Sequence, residues 1–145
     1  MALNRDFIGR SFPPSDPYEV TRGKIREFAD AIGDRNPVYR DQEAAKAAGH
    51  PDVIAPPTFP IVVSLGNAAL ADPELGLNYA MVVHGEQRFE YTRPLHAGDV
   101  VTCTATITEI KSIGDNEKMS VETDVRTTEG ELVCKSYNTI VERGA

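Results

Sequence analysis

The chain has no tryptophan, only two cysteines and three methionines, and fewer basic than acidic side chains. Each shortage excludes a class of function. Fifteen Lys and Arg face twenty-two Asp and Glu, a formal net charge of −7. That balance argues against nucleic-acid binding, whose affinity rests on a basic face, and against docking on an anionic membrane surface. The longest apolar run is residues 61–65, broken only by Ser64, and is far too short to span a bilayer. Residues 1–6 lack the charged-then-apolar pattern of a secretory signal, so a cytoplasmic location is expected. Cys103 and Cys134 stand in strand-like segments with no metal-ligand spacing around them. Buried, reduced thiols are expected there rather than a disulfide. His50, His84 and His96 are too scattered for a metal site. There is no phosphate-cradling glycine loop, so no cofactor is expected. Ser64 lacks a Gly-x-Ser-x-Gly elbow, which argues against a serine hydrolase.

What is present describes one folded unit. The 145 residues are 41% hydrophobic and 26% charged, within the usual size of one domain and enough to bury one real core. No repeat or linker divides them, and one domain over residues 1–145 is expected. Pro13, Pro14 and Pro17 mark the first residues as irregular chain.

From residue 21 to 32, Ile25, Phe28, Ala29 and Ile32 recur at helical spacing on one stripe, with Thr21 as N-cap and Gly33 as stop. A second short helix is predicted over residues 41–48, ended by Gly49. After the loop Ala55-Pro56-Pro57-Thr58, residues 59–70 are apolar on nearly every side. They predict a helix buried all round, with Ser64, Gly66 and Ala68 letting strands approach closely. The second half alternates with period two. Strands are predicted over residues 81–92, 101–107, 119–125 and 132–141, with turns at Gly114-Asp115-Asn116 and Glu129-Gly130. Helices first, one buried helix, then a long antiparallel meander predicts an α+β layer fold: a curved antiparallel sheet wrapped around a central helix.

The chemistry-bearing candidate is Gly33-Asp34-Arg35-Asn36-Pro37-Val38-Tyr39. It places a carboxylate and an amide on a sharp turn where the first helix ends, and by itself this is also ordinary turn chemistry. In context the segment resembles the signature of the MaoC-like/hydratase-2 hot-dog family. There, Gly-Asp-x-Asn-Pro is followed by an apolar residue and then a histidine. Gly33, Asp34, Asn36, Pro37 and Val38 match, and Tyr39 stands at the histidine position. The resemblance implies an acid/base role at Asp34, with Asn36 holding the arrangement, and a site whose principal base is missing. An unperturbed tyrosine, with a pKa of about 10, is a poor base at neutral pH.

His84-Gly85-Glu86-Gln87 and Arg93-Pro94-Leu95-His96-Ala97-Gly98-Asp99 extend the likeness to the N-terminal-type dehydratase domain. They also resemble the non-catalytic, substrate-binding subunit of actinobacterial (3R)-hydroxyacyl-ACP dehydratase. This resemblance implies an acyl-CoA or acyl-ACP ligand and substrate contacts at Tyr39, Pro57, Thr58, Phe59, His84 and Gly85. It implies a hot-dog partner carrying an intact Asp/His pair. Three alternatives stay open: a homodimeric dehydratase using Asp34 with His84, a hot-dog thioesterase, and a non-catalytic acyl-binding protein. Arg22, Lys24, Arg26, Arg35 and Arg40 form a candidate basic patch for an acidic carrier. Glu86 and Glu90 are expected to pair with Arg88 or Arg93.

Overall fold

The computed structural model describes residues 2–64 and 68–144. After a 3-10 turn at Arg5–Phe7, the order is β1 (Tyr18–Glu19), α1 (Arg22–Ile32), a 3-10 turn at Pro37–Tyr39, and α2 (Gln42–Ala47). Next come α3 (Ile61–Ser64) and α4 (Ala68–Ala71). The strands β2 (Val82–Tyr91), β3 (Val100–Ile113), β4 (Asn116–Thr127) and β5 (Leu132–Glu142) follow. They form one antiparallel five-stranded sheet in the order β1-β3-β4-β5-β2. This is the hot-dog arrangement expected from the sequence.

The alternation seen in the sequence sets the faces. On β4, Met119, Val121, Thr123 and Val125 are buried against the helical layer, while Ser120, Glu122 and Asp124 turn outward and stay half-buried. The inner face carries two apolar clusters. One gathers Val101, Cys103, Val125 and Cys134 with α1 and Phe59; the other gathers Ala105, Ile107, Met119, Val121 and Ile140 with Leu3, Phe7 and Leu75. Between them runs a polar row. Thr123 pairs across the ladder with Ser136, each 1% exposed, and Ser136 Oγ accepts from Gln87 Nε2 at 2.7 Å.

Thr21 Oγ1 accepts from Lys24 N–H as the N-cap of α1, and Gly33 ends that helix at φ 73°. That left-handed conformation costs glycine nothing. Of the helix expected over residues 59–70, Ile61–Ser64 and Ala68–Ala71 are helical, and residues 65–67 lie outside the described residues. Its expected enclosure on all sides is corrected. Ile61, Val62, Val63 and Leu70 are half-buried rather than enclosed, because the sheet of one chain covers only one side of a helix.

The proline-rich start is also not merely irregular. Its backbone runs along β3: Gly9 N–H donates to Ile107 O at 2.7 Å, Phe12 N–H to Ala105 O at 2.9 Å and Ser15 N–H to Cys103 O at 2.9 Å. β1 completes the cover opposite Val100 and Val101. One sheet edge is thereby closed, whereas among the described residues no strand pairs with the outer edge of β2.

Candidate active site

The Asp34 to Tyr39 segment is built by its own side chains. Asp34 Oδ1 accepts from Asn36 N–H at 3.0 Å, and Asn36 Oδ1 accepts from Val38 N–H at 3.2 Å. These are two successive Asx turns. Pro37 then starts the 3-10 turn that aims Tyr39 inward. Arg40 braces the segment from behind: one guanidinium nitrogen donates to Asp30 at 2.5 Å, another to the Asp34 carbonyl at 2.6 Å. Asn36 is exposed, Asp34 half-buried and Tyr39 8% exposed. Burial and the nearby Asp34 carboxylate both push the Tyr39 phenol above its ordinary value.

The loop ahead of α3 is tied to this turn. Ile54 N–H donates to Val38 O at 3.1 Å and Ala55 N–H to Leu95 O at 2.7 Å. Tyr91, at the end of β2, donates its hydroxyl to the Pro57 carbonyl at 2.5 Å. Its phenol is driven up by burial first, then by Cys134 and Tyr39. The structure thus links Asp34 to Tyr39, and Pro57 and Tyr39 to Tyr91, a residue that the sequence does not mark. Its partner lies 34 positions away, and nothing in the local strand pattern signals that contact.

Pro57 and Thr58 are exposed on the loop. Phe59 is 0% exposed and packs edge-on against Phe28, with ring centroids 5.4 Å apart. It is a core residue that supports the loop from below. His84 and Gly85 lie toward the opposite end of β2 from Tyr91, roughly 20 Å away at about 3.3 Å per residue. Asp34 and His84 of one chain therefore do not form a pair. His84 Nε2 lies 2.9 Å from Glu86 O. Gly85 occupies a β-bulge where an added Cβ would meet Thr139 O at 3.3 Å.

Cys103 and Cys134 each face Val125, one on either side, so two strand spacings, about 10 Å, separate them. No disulfide can close that gap. Burial pushes their thiols up to about 11 and about 12, as inert core cysteines. Of the five bases in the expected patch, three are neutralised: Arg22 by Asp52, Lys24 by Glu27 and Arg40 by Asp30. Arg88 pairs with Glu90 at 2.8 Å as expected, whereas Arg93 turns to Asp99 and Glu131. Among the described residues no cluster could hold a metal ion, and no helix is long and apolar enough to cross a membrane.

Residues 6–136 match the family described as "FAS1-like, dehydratase domain region". The chain belongs to that family. It is 60% identical to the UPF0336 protein of Thermobifida fusca, over 99% of this chain and 96% of that one. Among solved structures, it resembles the C-terminally truncated HadBC (3R-hydroxyacyl-ACP dehydratase) complex of Mycobacterium tuberculosis. The TM-score is 0.87 at 25% identity, covering 96% of this chain and 99% of the other. A MaoC-like dehydratase aligns with a TM-score of 0.84 and 29% identity, over 96% of this chain but 43% of its own length. The domain is a hot-dog of the MaoC-like dehydratase and hydratase group.

Proposed function

We propose that this chain is the substrate-binding subunit of a (3R)-hydroxyacyl-thioester dehydratase or enoyl hydratase, acting on acyl-CoA or acyl-ACP. Its partner in this reading is a hot-dog subunit that supplies the Asp/His pair. One observation carries the reading: the dehydratase-type turn is built and braced, yet Tyr39 stands where a base is needed, its phenol pushed up rather than down. Dehydration requires removal of a weakly acidic α-proton and protonation of the departing hydroxyl. A phenol held above its ordinary value does neither well near neutral pH. Asp34 and Asn36 then mark the site, and Tyr39, Pro57 and Thr58 border it. His84 and Gly85 would reach an acyl site only across an assembly, since they lie far along β2.

The free β2 edge supports a partner, because an uncovered strand edge invites pairing. Among the described residues, the exposed large apolar side chains include Val83 and Tyr91 at opposite ends of β2 and Tyr79 just before it. Similarity to the HadBC complex supports the same reading. The deciding measurement is crotonyl-thioester hydration by the purified chain, alone and mixed with a hot-dog protein that carries an intact Asp/His motif. Hydration only in the mixture is expected. Turnover by the chain alone that disappears with Asp34→Asn would replace this reading with a self-sufficient homodimer.

A further inference from the structure

β2 carries His84 near one end and the tie to the site at the other, where Tyr91 bonds the Pro57 loop. The bulge at Gly85 decides which way the imidazole faces. His84 pairs with Ile140, Gly85 is passed over, and Glu86 pairs with Thr139. Ile140 is 6% exposed and belongs to the core on the inner face, and residues directly opposite in a ladder share a face. His84 therefore lies on the inner side with Gln87, Phe89 and Tyr91, yet it stays exposed. Its Nε2 is 2.9 Å from Glu86 O. A carbonyl only accepts, so Nε2 carries the proton, and Nδ1 of the neutral ring is left as an acceptor.

What lies beside His84 in an assembly depends on how the open edge is covered. Consider an antiparallel pair with the equivalent strand of a second hot-dog chain. The register centred on Gln87 spans Val82 to Tyr91 on both strands and keeps inner residues opposite inner ones. His84 then faces the counterpart of Phe89, with about 5 Å between Cα atoms. It comes within about 8 Å of the counterpart of Tyr91, against roughly 20 Å from Tyr91 of its own chain. The same register sets Glu86, which has no ion pair among the described residues, opposite position 88, where this chain carries Arg88 (bonded to Glu90 within the chain). It also lays the exposed Val83 end of each strand against the Tyr91 end of the other.

We propose that His84 serves the partner's site and not its own: across the paired β2 edges, its Nδ1 accepts a hydrogen bond from an N–H or O–H of the thioester ligand bound there. This rests on the two-subunit acyl-thioester reading above and names the contact by which this chain reaches the ligand. The donor is an amide N–H of the pantetheine arm or the 3-hydroxyl of the acyl group. The role is binding, and the chemistry stays with the partner's Asp/His pair.

The test uses the full chain in complex with a hot-dog protein that carries asparagine in place of the motif aspartate, so that ligands bind without turning over. Dissociation constants of butyryl-CoA and (3R)-3-hydroxybutyryl-CoA are measured, with assembly followed by sedimentation. His84→Ala is expected to weaken binding by about 3- to 10-fold, the worth of one neutral hydrogen bond. Equal weakening of both ligands identifies the amide N–H, and weakening of the hydroxylated ligand alone identifies the 3-hydroxyl. His84→Asn sets an oxygen near the Nδ1 position and should keep most of the affinity. His84→Gln, whose amide falls near Nε2, should not. Wild-type affinity for both ligands in the assembled His84→Ala complex overturns the proposal. If His84→Ala disturbs assembly, the Asn and Gln variants decide: equal affinities in their assembled complexes overturn it as well. If the wild-type chain with an intact partner hydrates no crotonyl-CoA, the acyl-thioester reading itself falls.

Discussion

Single side chains in this molecule are governed by whether a buried polar atom has a partner. Thr123 Oγ1 is buried with none among the described residues, so its hydroxyl carries a desolvation cost with no bond in return. Thr123→Val, nearly the same shape, should leave stability unchanged or raise it by about 1 kcal/mol in urea unfolding. Its ladder neighbour behaves oppositely. Ser136→Ala strands Gln87 Nε2 and should cost about 1 kcal/mol in the same assay.

Arg93 and Asp99 form a two-pronged pair, with both N–O distances 2.9 Å and Asp99 7% exposed. Removing the cation leaves a buried carboxylate with only the His96 contacts, the N–H at 2.9 Å and Nε2 at 3.5 Å. Arg93→Leu should therefore destabilise by about 3 kcal/mol, and Arg93→Lys should recover only part, because an ammonium cannot make the fork.

At the scale of elements, the N-terminal arm shows how a poor secondary-structure former does structural duty. Three prolines prevent a regular strand, yet residues 9–19 cover the edge of β3 with scattered main-chain bonds. Prolines are tolerated on a sheet edge because their missing N–H can face outward. The arm is anchored at its far end by Glu117. That carboxylate accepts from the Leu3 N–H at 2.9 Å, from Ser112 Oγ at 2.5 Å and from the Arg5 guanidinium.

Arg5 chiefly, helped by these other donors, holds the Glu117 carboxyl down to about 2. An unfolded glutamate titrates near about 4.3. The folded value is the lower one, so the stabilisation is complete above that unfolded value and is lost as pH falls from there through about 2. Glu117→Gln should be less stable than wild type at pH 7, and the gap should narrow steadily between pH 5 and pH 2. Urea midpoints measured across that range check it. A gap that stays constant would mean that the anchor does not depend on charge.

For the whole molecule, the asymmetry of the sheet is the organising fact: the arm closes one edge and nothing among the described residues closes the other. A charged residue on that open edge should hinder pairing. Val83→Lys, at an exposed position on β2, is expected to shift the sedimenting species toward monomer while leaving far-UV dichroism unchanged. An unaltered sedimentation profile would place the assembly surface elsewhere.

Much of this architecture is legible in the order of residues. The period-two alternation of Met119, Val121, Thr123 and Val125 and the cap residues Thr21 and Gly33 act through neighbours in the chain, so a one-dimensional pattern carries them. The Asp34 and Asn36 turns are equally local, two residues in reach each. Other features depend on segments that meet only after folding. Examples are Tyr91 reaching Pro57, the burial of Phe59 under the loop, the gap between the two cysteines, and the distance from Asp34 to His84. The sequence alone determined the alternation, the caps and the turn that mark the fold and its site. Only the tertiary structure decided which of the named residues share that site, because the strand register, and not spacing along the chain, sets those distances.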